Sequence, residues 1–268
     1  MKLRNKFMPA MLFCGVVALS SCDKQEQDSM EPVLEQGVIS HILVDSAEVT
    51  SYKFAGRQLS QINHYDVKTG DLETFDKYER DGKGRLLKSS MHAGSNSAVL
   101  SEQTFHYDNS DKLVKADMSY YNGNKVEYAA YAAYEYNAQD KLEKKTVFEG
   151  TDGDSKAQVK SVTVYEVLPN GNYSQEKQYV IDDNQEPKLF STTTYSYDTS
   201  LNPFHELAEP GTASSPNNLV AATTVVHNSK KTYKYNYAYT YDERGYPLTQ
   251  SVEKPDGKRQ TYRYLYSN

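Results

Sequence analysis

Tyrosine stands at every second position from Tyr233 to Tyr241, with Lys234, Asn236, Ala238 and Thr240 between. In an extended strand successive side chains leave opposite faces, so the five rings share one face and the intervening residues the other. The pattern returns at Tyr262, Tyr264 and Tyr266, and in shorter form at Phe105 and Tyr107 and at Tyr195 and Tyr197. Such alternation dominates the chain after Val38 and predicts strands rather than helices. Asp81-Gly82, Asn122-Gly123, Asp152-Gly153, Asn170-Gly171, Arg244-Gly245 and Asp256-Gly257 punctuate the runs. These pairs tolerate the positive φ of tight hairpins, so each joins two antiparallel neighbours. The expectation is an all-β, single-domain meander of roughly 14 sequential antiparallel strands over residues 37–268. A sheet that wide curves strongly or closes into a barrel-like sheet.

Two stretches interrupt the rhythm. Tyr128-Ala-Ala-Tyr131-Ala-Ala-Tyr134 has a period of three and good helix formers, but its flanking turns argue for a long strand with a bulge. Residues 202–218 hold Pro203, Pro210, Gly211 and Pro216 and form the one long inserted loop. Long loops on a rigid scaffold are where function often sits.

An aromatic strand followed by a polar turn also repeats. Tyr78, Tyr107, Tyr136 and Tyr165 lie 29 residues apart, and the turns read Tyr107-Asp-Asn-Ser-Asp-Lys-Leu113 and Tyr136-Asn-Ala-Gln-Asp-Lys-Leu142, with later versions at Tyr197 and Tyr241. A fixed period of this size marks units that bury their apolar faces only by pairing with neighbours.

The N-terminus changes the picture. Lys2, Arg4 and Lys6 precede an apolar run from Met8 to Leu19 that is short for a membrane span, the layout of a secretory signal over residues 1–22. It ends in Leu19-Ser20-Ser21-Cys22, which resembles a bacterial lipobox and implies diacylglycerol on the Cys22 thiol. Residues 23–36 are polar and read as a flexible tether, about 20 Å in r.m.s. reach. Removing residues 1–22, which hold three basic and no acidic side chains, leaves 27 basic against 36 acidic, a formal charge of −9. That balance disfavours nucleic acid as a partner.

Candidate chemistry is sparse. Neither a Gly-x-Ser-x-Gly nucleophile turn nor a phosphate-cradling loop occurs, and the six histidines have no i, i+2 or i, i+4 pairing. Asp152-Gly153-Asp154 lacks the acidic series a calcium loop needs and reads as a hairpin turn. The sequence thus assigns no catalytic residue, metal or cofactor, and favours a non-enzyme. Tyrosine is the excess, with 24 copies and no tryptophan. The rings serve first as cross-strand partners that stabilise a sheet. Tyr235, Tyr237 and, in the long loop, Phe204 are the candidate binding residues.

Tyr239-Thr-Tyr241-Asp242-Glu-Arg-Gly245-Tyr-Pro-Leu248 resembles the YD repeats of bacterial surface and toxin-encapsulating proteins. Together with Cys22, Tyr195-Ser-Tyr197-Asp198 and Asn202-Pro203-Phe204, it is similar to a family of Bacteroides-group lipoproteins with a porin-like β-meander and no assigned activity. The resemblance implies a fold and an envelope location, with a lipid anchor in the outer membrane facing the cell surface or, failing that, the periplasm. The expected function is a non-enzymatic binding or scaffold module for a glycan or a surface protein. An extracellular polysaccharide hydrolase with paired carboxylates and an outer-membrane pore are the alternatives. In the pore reading Lys234, Asn236 and Arg263 face a wet lumen and the tyrosines face lipid.

Overall fold

The computed structural model describes residues 37–153, 157–182 and 184–267; the signal, Cys22 and the tether lie outside the described residues. Sixteen strands follow one another in chain order: β1 (Ile39–Val44), β2 (Ala47–Ala55), β3 (Gln58–Tyr65), β4 (Leu72–Arg80), β5 (Leu86–Ala93), β6 (Val99–Tyr107), β7 (Leu113–Asn122) and β8 (Lys125–Tyr136). The second half comprises β9 (Leu142–Glu149), β10 (Gln158–Val167), β11 (Tyr173–Ile181), β12 (Pro187–Leu201), β13 (Asn217–Val226), β14 (Lys231–Tyr241), β15 (Pro247–Glu253) and β16 (Arg259–Tyr266). Each pairs antiparallel with its sequence neighbours, and β1 pairs with β16, so the meander closes into a barrel. Closure leaves no unpaired edge. Sixteen strands replace the expected 14 because short runs such as β1 and β15 are full members of the ring. The alanine-rich segment is strand β8, with a register shift beside Tyr136 and no helix.

In such a meander every turn that follows an even-numbered strand lies at one end of the barrel, together with both chain termini. Gly37 N–H donates to Ser267 O at 3.3 Å, and Ser267 N–H to Val38 O at 2.8 Å, which fastens the termini at that end. The 29-residue motif forms the hairpins there. Asp81 Oδ1 accepts the backbone N–H of Lys83 and Arg85 (2.9 and 3.0 Å). Asp108 does the same for Ser110 and Lys112, Asn137 for Gln139 and Lys141, and Asp242 for Arg244 and Tyr246. A short polar side chain that bonds its own backbone two residues on is the reason Asp and Asn start these turns. Three residues later the backbone is left-handed, at Gly84, Asp111, Asp140 and Gly245. Only Gly, Asn and Asp take that conformation at low cost.

Adjacent turns are cross-linked. Arg85 pairs with Asp111 and stacks 4.9 Å from the Tyr107 ring, and Lys112 pairs with Asp140 and lies 5.4 Å from the Tyr136 ring. The base of one copy thus grips the acid and the aromatic ring of the next. The phenols complete the lattice by donating to carbonyls of the neighbouring hairpin, Tyr107 to Leu86, Tyr197 to Tyr173 and Tyr266 to Pro247, each at 2.8 Å. The turn leucines Leu86, Leu113 and Leu142 are buried in the main core cluster with Phe105, Ala116, Ala132, Tyr134 and Tyr173.

Replacing Asp108 with Ala removes the acceptor of two turn N–H groups and should destabilise the barrel by about 1–2 kcal/mol in urea unfolding, whereas Asp108→Asn should cost much less.

Candidate functional site

The inserted loop decides what the barrel contains. β12 runs to Leu201 and β13 starts at Asn217, so the loop proper is residues 202–216, two residues shorter than the sequence suggested. Its neck is fixed by Asn202, whose N–H donates to Pro216 O and whose side-chain amide donates to Ser215 O (2.9 and 2.8 Å). Ser215 accepts the Tyr173 N–H at 3.0 Å and donates to the Tyr197 hydroxyl at 2.9 Å. Beyond the neck, the Phe204 ring packs edge-on against Tyr264 of β16 and tilted against Tyr52 of β2. Gly211 abuts the opposite wall: a Cβ there would stand 2.4 Å from the Tyr134 ring of β8 and 3.0 Å from Leu113 of β7. With φ at +79°, Gly211 meets both the conformational and the steric demand. Glu209 accepts a hydrogen bond from Ser89 of β5. A segment that touches β2, β5, β7, β8 and β16 of a closed ring lies inside it. The loop is a plug, entering from the end that holds the termini.

The plug also identifies the inner face. Following the ladders from Tyr52, Tyr134 and Tyr264 places Tyr78, Tyr107, Tyr165, Tyr195 and Tyr197 inside, together with the whole row Tyr233 to Tyr241. Lys234, Asn236 and Arg263 therefore point outward, the reverse of the arrangement expected for a pore. The outer face also carries Lys88 paired with Glu102, Lys115 with Asp117, Lys144 with Glu135 and Lys177 with Glu166.

Between the plug and the wall the barrel interior gathers ionisable groups that the sequence did not single out. Lys145 of β9 interacts with both Glu176 of β11 and Glu209, Asp76 of β4 acts on Glu209, and Glu209 in turn acts on Tyr78 of β4. Tyr195 donates to Glu176 at 3.2 Å, and the Lys145 ammonium lies 5.7 Å from the centre of the Tyr134 ring. His64 of β3 bonds Asp76 at 2.8 Å. Burial is the largest influence on all three central groups. It raises Glu209 to about 6, raises Glu176 and lowers Lys145, because a poorly hydrated site disfavours each charged form. Lys145 offsets part of the carboxylates' cost and Ser89 and Tyr195 supply hydrogen bonds. The only local hint is polar residues alternating with β residues at Lys145 and Glu176; their convergence depends on strands far apart in sequence.

At the other end the inner face opens. Tyr120, Tyr128 and Tyr233 are 46%, 40% and 39% exposed, and the first two rings lie 5.9 Å apart across the β7–β8 hairpin. Tyr235 and Tyr237 follow Tyr233 down the wall, half-buried. Tyr239 is tied in by donating to Leu219 O and accepting from Gln250, and Tyr241 by bonding Asp198. Phe204 stands in the plug, at the far end of the same cavity from Tyr233.

No family model matches the sequence, and no curated protein matches it. The fold is shared with solved structures, among them two crystal structures. A porin-like protein from Bacteroides vulgatus aligns with a TM-score of 0.53 at 12% identity, over 85% of this chain and 98% of that one. A porin-like protein from Bacteroides uniformis aligns with a TM-score of 0.50 at 14% identity, over 88% and 99%.

Glu209 binds its proton more tightly in the folded state than its ordinary value of 4.5 allows, so its ionisation weakens the fold as pH rises through about 6. Glu209→Gln should therefore gain about 1–2 kcal/mol over the parent above pH 7 and nothing below pH 4, read from urea unfolding across that range.

Proposed function

We propose that this protein is a non-enzymatic glycan-binding module of the bacterial cell envelope, held to the outer membrane by acylated Cys22 and facing the cell surface. The observation that carries this reading is the row of inward-facing tyrosines: it ends in exposed rings at the open end of the barrel, with the Tyr195–Glu176 pair and Glu209 on the same inner side toward the plug. Sugars present C–H faces to aromatic rings and hydroxyls to polar groups, and tyrosine offers both kinds of contact at small entropic cost. Rings that line the inside of a ring's open end suit the end of a saccharide chain better than the convex surface of a folded protein. The similarity to porin-like Bacteroides proteins agrees with an envelope location.

The pore reading is disfavoured by the outer wall. A membrane barrel needs an apolar outward band about 25 Å tall, and a Lys or Arg at its midplane costs about 2–4 kcal/mol. Here Lys88, Lys115, Lys144 and Lys177 stand on outward positions with carboxylate partners, and the plug occupies the lumen. The protein with its acyl chains removed should stay monodisperse without detergent, and aggregation relieved only by detergent would restore the pore.

A glycan array probed with the protein should yield saccharide ligands, and Tyr233→Ala and Tyr235→Ala with Tyr237→Ala should weaken them at least tenfold while leaving the unfolding midpoint close to the parent's. Binding untouched by these changes would remove the tyrosine row as the site. Release of reducing ends from a bound polysaccharide, abolished by Glu209→Gln, would favour the hydrolase instead.

A further inference from the structure

Among the described residues, large exposed tyrosines gather at one end of the barrel and most of the exposed aliphatic side chains at the other. At the mouth Tyr120, Tyr128 and Tyr233 are joined by Val126 and Leu100. At the plugged end the exposed large apolar residues are all aliphatic: Leu87, Val114, Leu168, Leu201, Leu248 and Leu265, between 39% and 49% exposed. Leu87, Val114 and Leu248 are the second residues of β5, β7 and β15, just after the buried Leu86, Leu113 and Pro247, and so point outward. Leu265 stands next to the last residue of β16, Leu201 ends β12 beyond Tyr197 at the neck of the plug, and Leu168 occupies the β10–β11 turn. Single exposed leucines are ordinary on protein surfaces. Six around one end of a closed ring form a girdle.

The same end holds the start of the described chain. Gly37 is fastened to Ser267 and packs against Arg244 and Tyr246 of the β14–β15 turn. Fourteen residues separate it from Cys22, a reach of about 20 Å. An acyl group on Cys22 therefore brings this rim, and not the mouth, toward the bilayer. The charges beside the girdle are largely matched internally, Arg85 and Lys83 with Asp111, Lys112 with Asp140 and Arg244 with Asp242. Attraction to anionic headgroups is thus weak, and the contact available to this rim is burial of aliphatic side chains at the interface.

We infer that the plugged rim is a membrane seat: the barrel stands on its aliphatic girdle in the lipid interface, with the tyrosine mouth pointing away from the membrane. This rests on the anchoring at Cys22 proposed above. It adds that the anchor fixes the direction of the tyrosine mouth instead of leaving a freely tumbling domain on a string.

The chain contains no tryptophan, so one introduced indole is a clean reporter. Leu87→Trp and Leu248→Trp mark the girdle and Leu100→Trp marks the opposite end, all at exposed positions. The full-length protein is reconstituted into phosphatidylethanolamine–phosphatidylglycerol vesicles whose acyl chains are brominated, and mass spectrometry reads acylation of Cys22 on the same sample. The expected result is at least twofold quenching and a blue shift for Leu87→Trp and Leu248→Trp, unchanged in high salt, with Leu100→Trp unquenched. Acylated, vesicle-bound protein with the girdle indoles unquenched, or with all three quenched alike, overturns the seat. Girdle quenching in protein that carries no acyl group keeps the seat and sinks the anchor. The absence of both sinks the two together.

Discussion

A ring of sixteen strands encloses more space than its own inward side chains can fill; barrels of this size leave an aqueous channel unless something occupies them. That constraint governs the rest of the molecule. Half of the wall, from β5 to β11, builds a core of its own around Leu86, Phe105, Leu113, Tyr134 and Leu142, and at the end that holds the termini the space is taken by residues 202–216. The plug works because its tip is small where the wall is close, at Gly211 and Ala213, and aromatic where the wall recedes, at Phe204. It also carries Glu209 into a site where an ionised carboxylate is expensive, and a polar group kept at such cost is a mark of function as often as of structure.

The turn lattice at the plugged end answers a different problem. Long-range strand pairing is slow and prone to register error, and a slip of one residue would exchange the two faces. Each hairpin here begins with a local bulge and an Asp or Asn that bonds its own turn, which sets register before distant strands meet. The base, acid and ring contacts between turns then tie successive hairpins together at the repeat interval. The tyrosines near that end are structural, because their hydroxyls are committed to carbonyls of the neighbouring strand.

Polarity is inverted relative to a lipid-facing barrel, aromatic inside and charged outside. One sheet therefore presents three surfaces with separate physical characters: a charged outer wall, an inner face rich in tyrosine and an aliphatic rim. The exposed tyrosines and the rim lie at opposite ends because hairpins after even-numbered strands carry the repeat turns, while those after odd-numbered strands form the mouth.

Much of this was legible in the chain. Period two predicted strands, the Asp-Gly and Asn-Gly pairs marked hairpins, the 29-residue interval announced a meander, and Pro203 to Pro216 identified the segment that breaks it. These are local signals, set by backbone conformation within a few residues. What local patterning could not decide was which face of each strand lay inside, since tyrosine is amphipathic and suits either side of a curved sheet. The destination of the loop was equally hidden, because a Pro-rich segment looks the same in solvent or in a lumen. Glu209, Glu176 and Lys145 became neighbours only when β9, β11 and the plug met across the barrel. The sequence by itself determined the strands and turns, since each depends on near neighbours; only the closed ring decided inside from outside, since that follows from contacts between residues far apart in the chain.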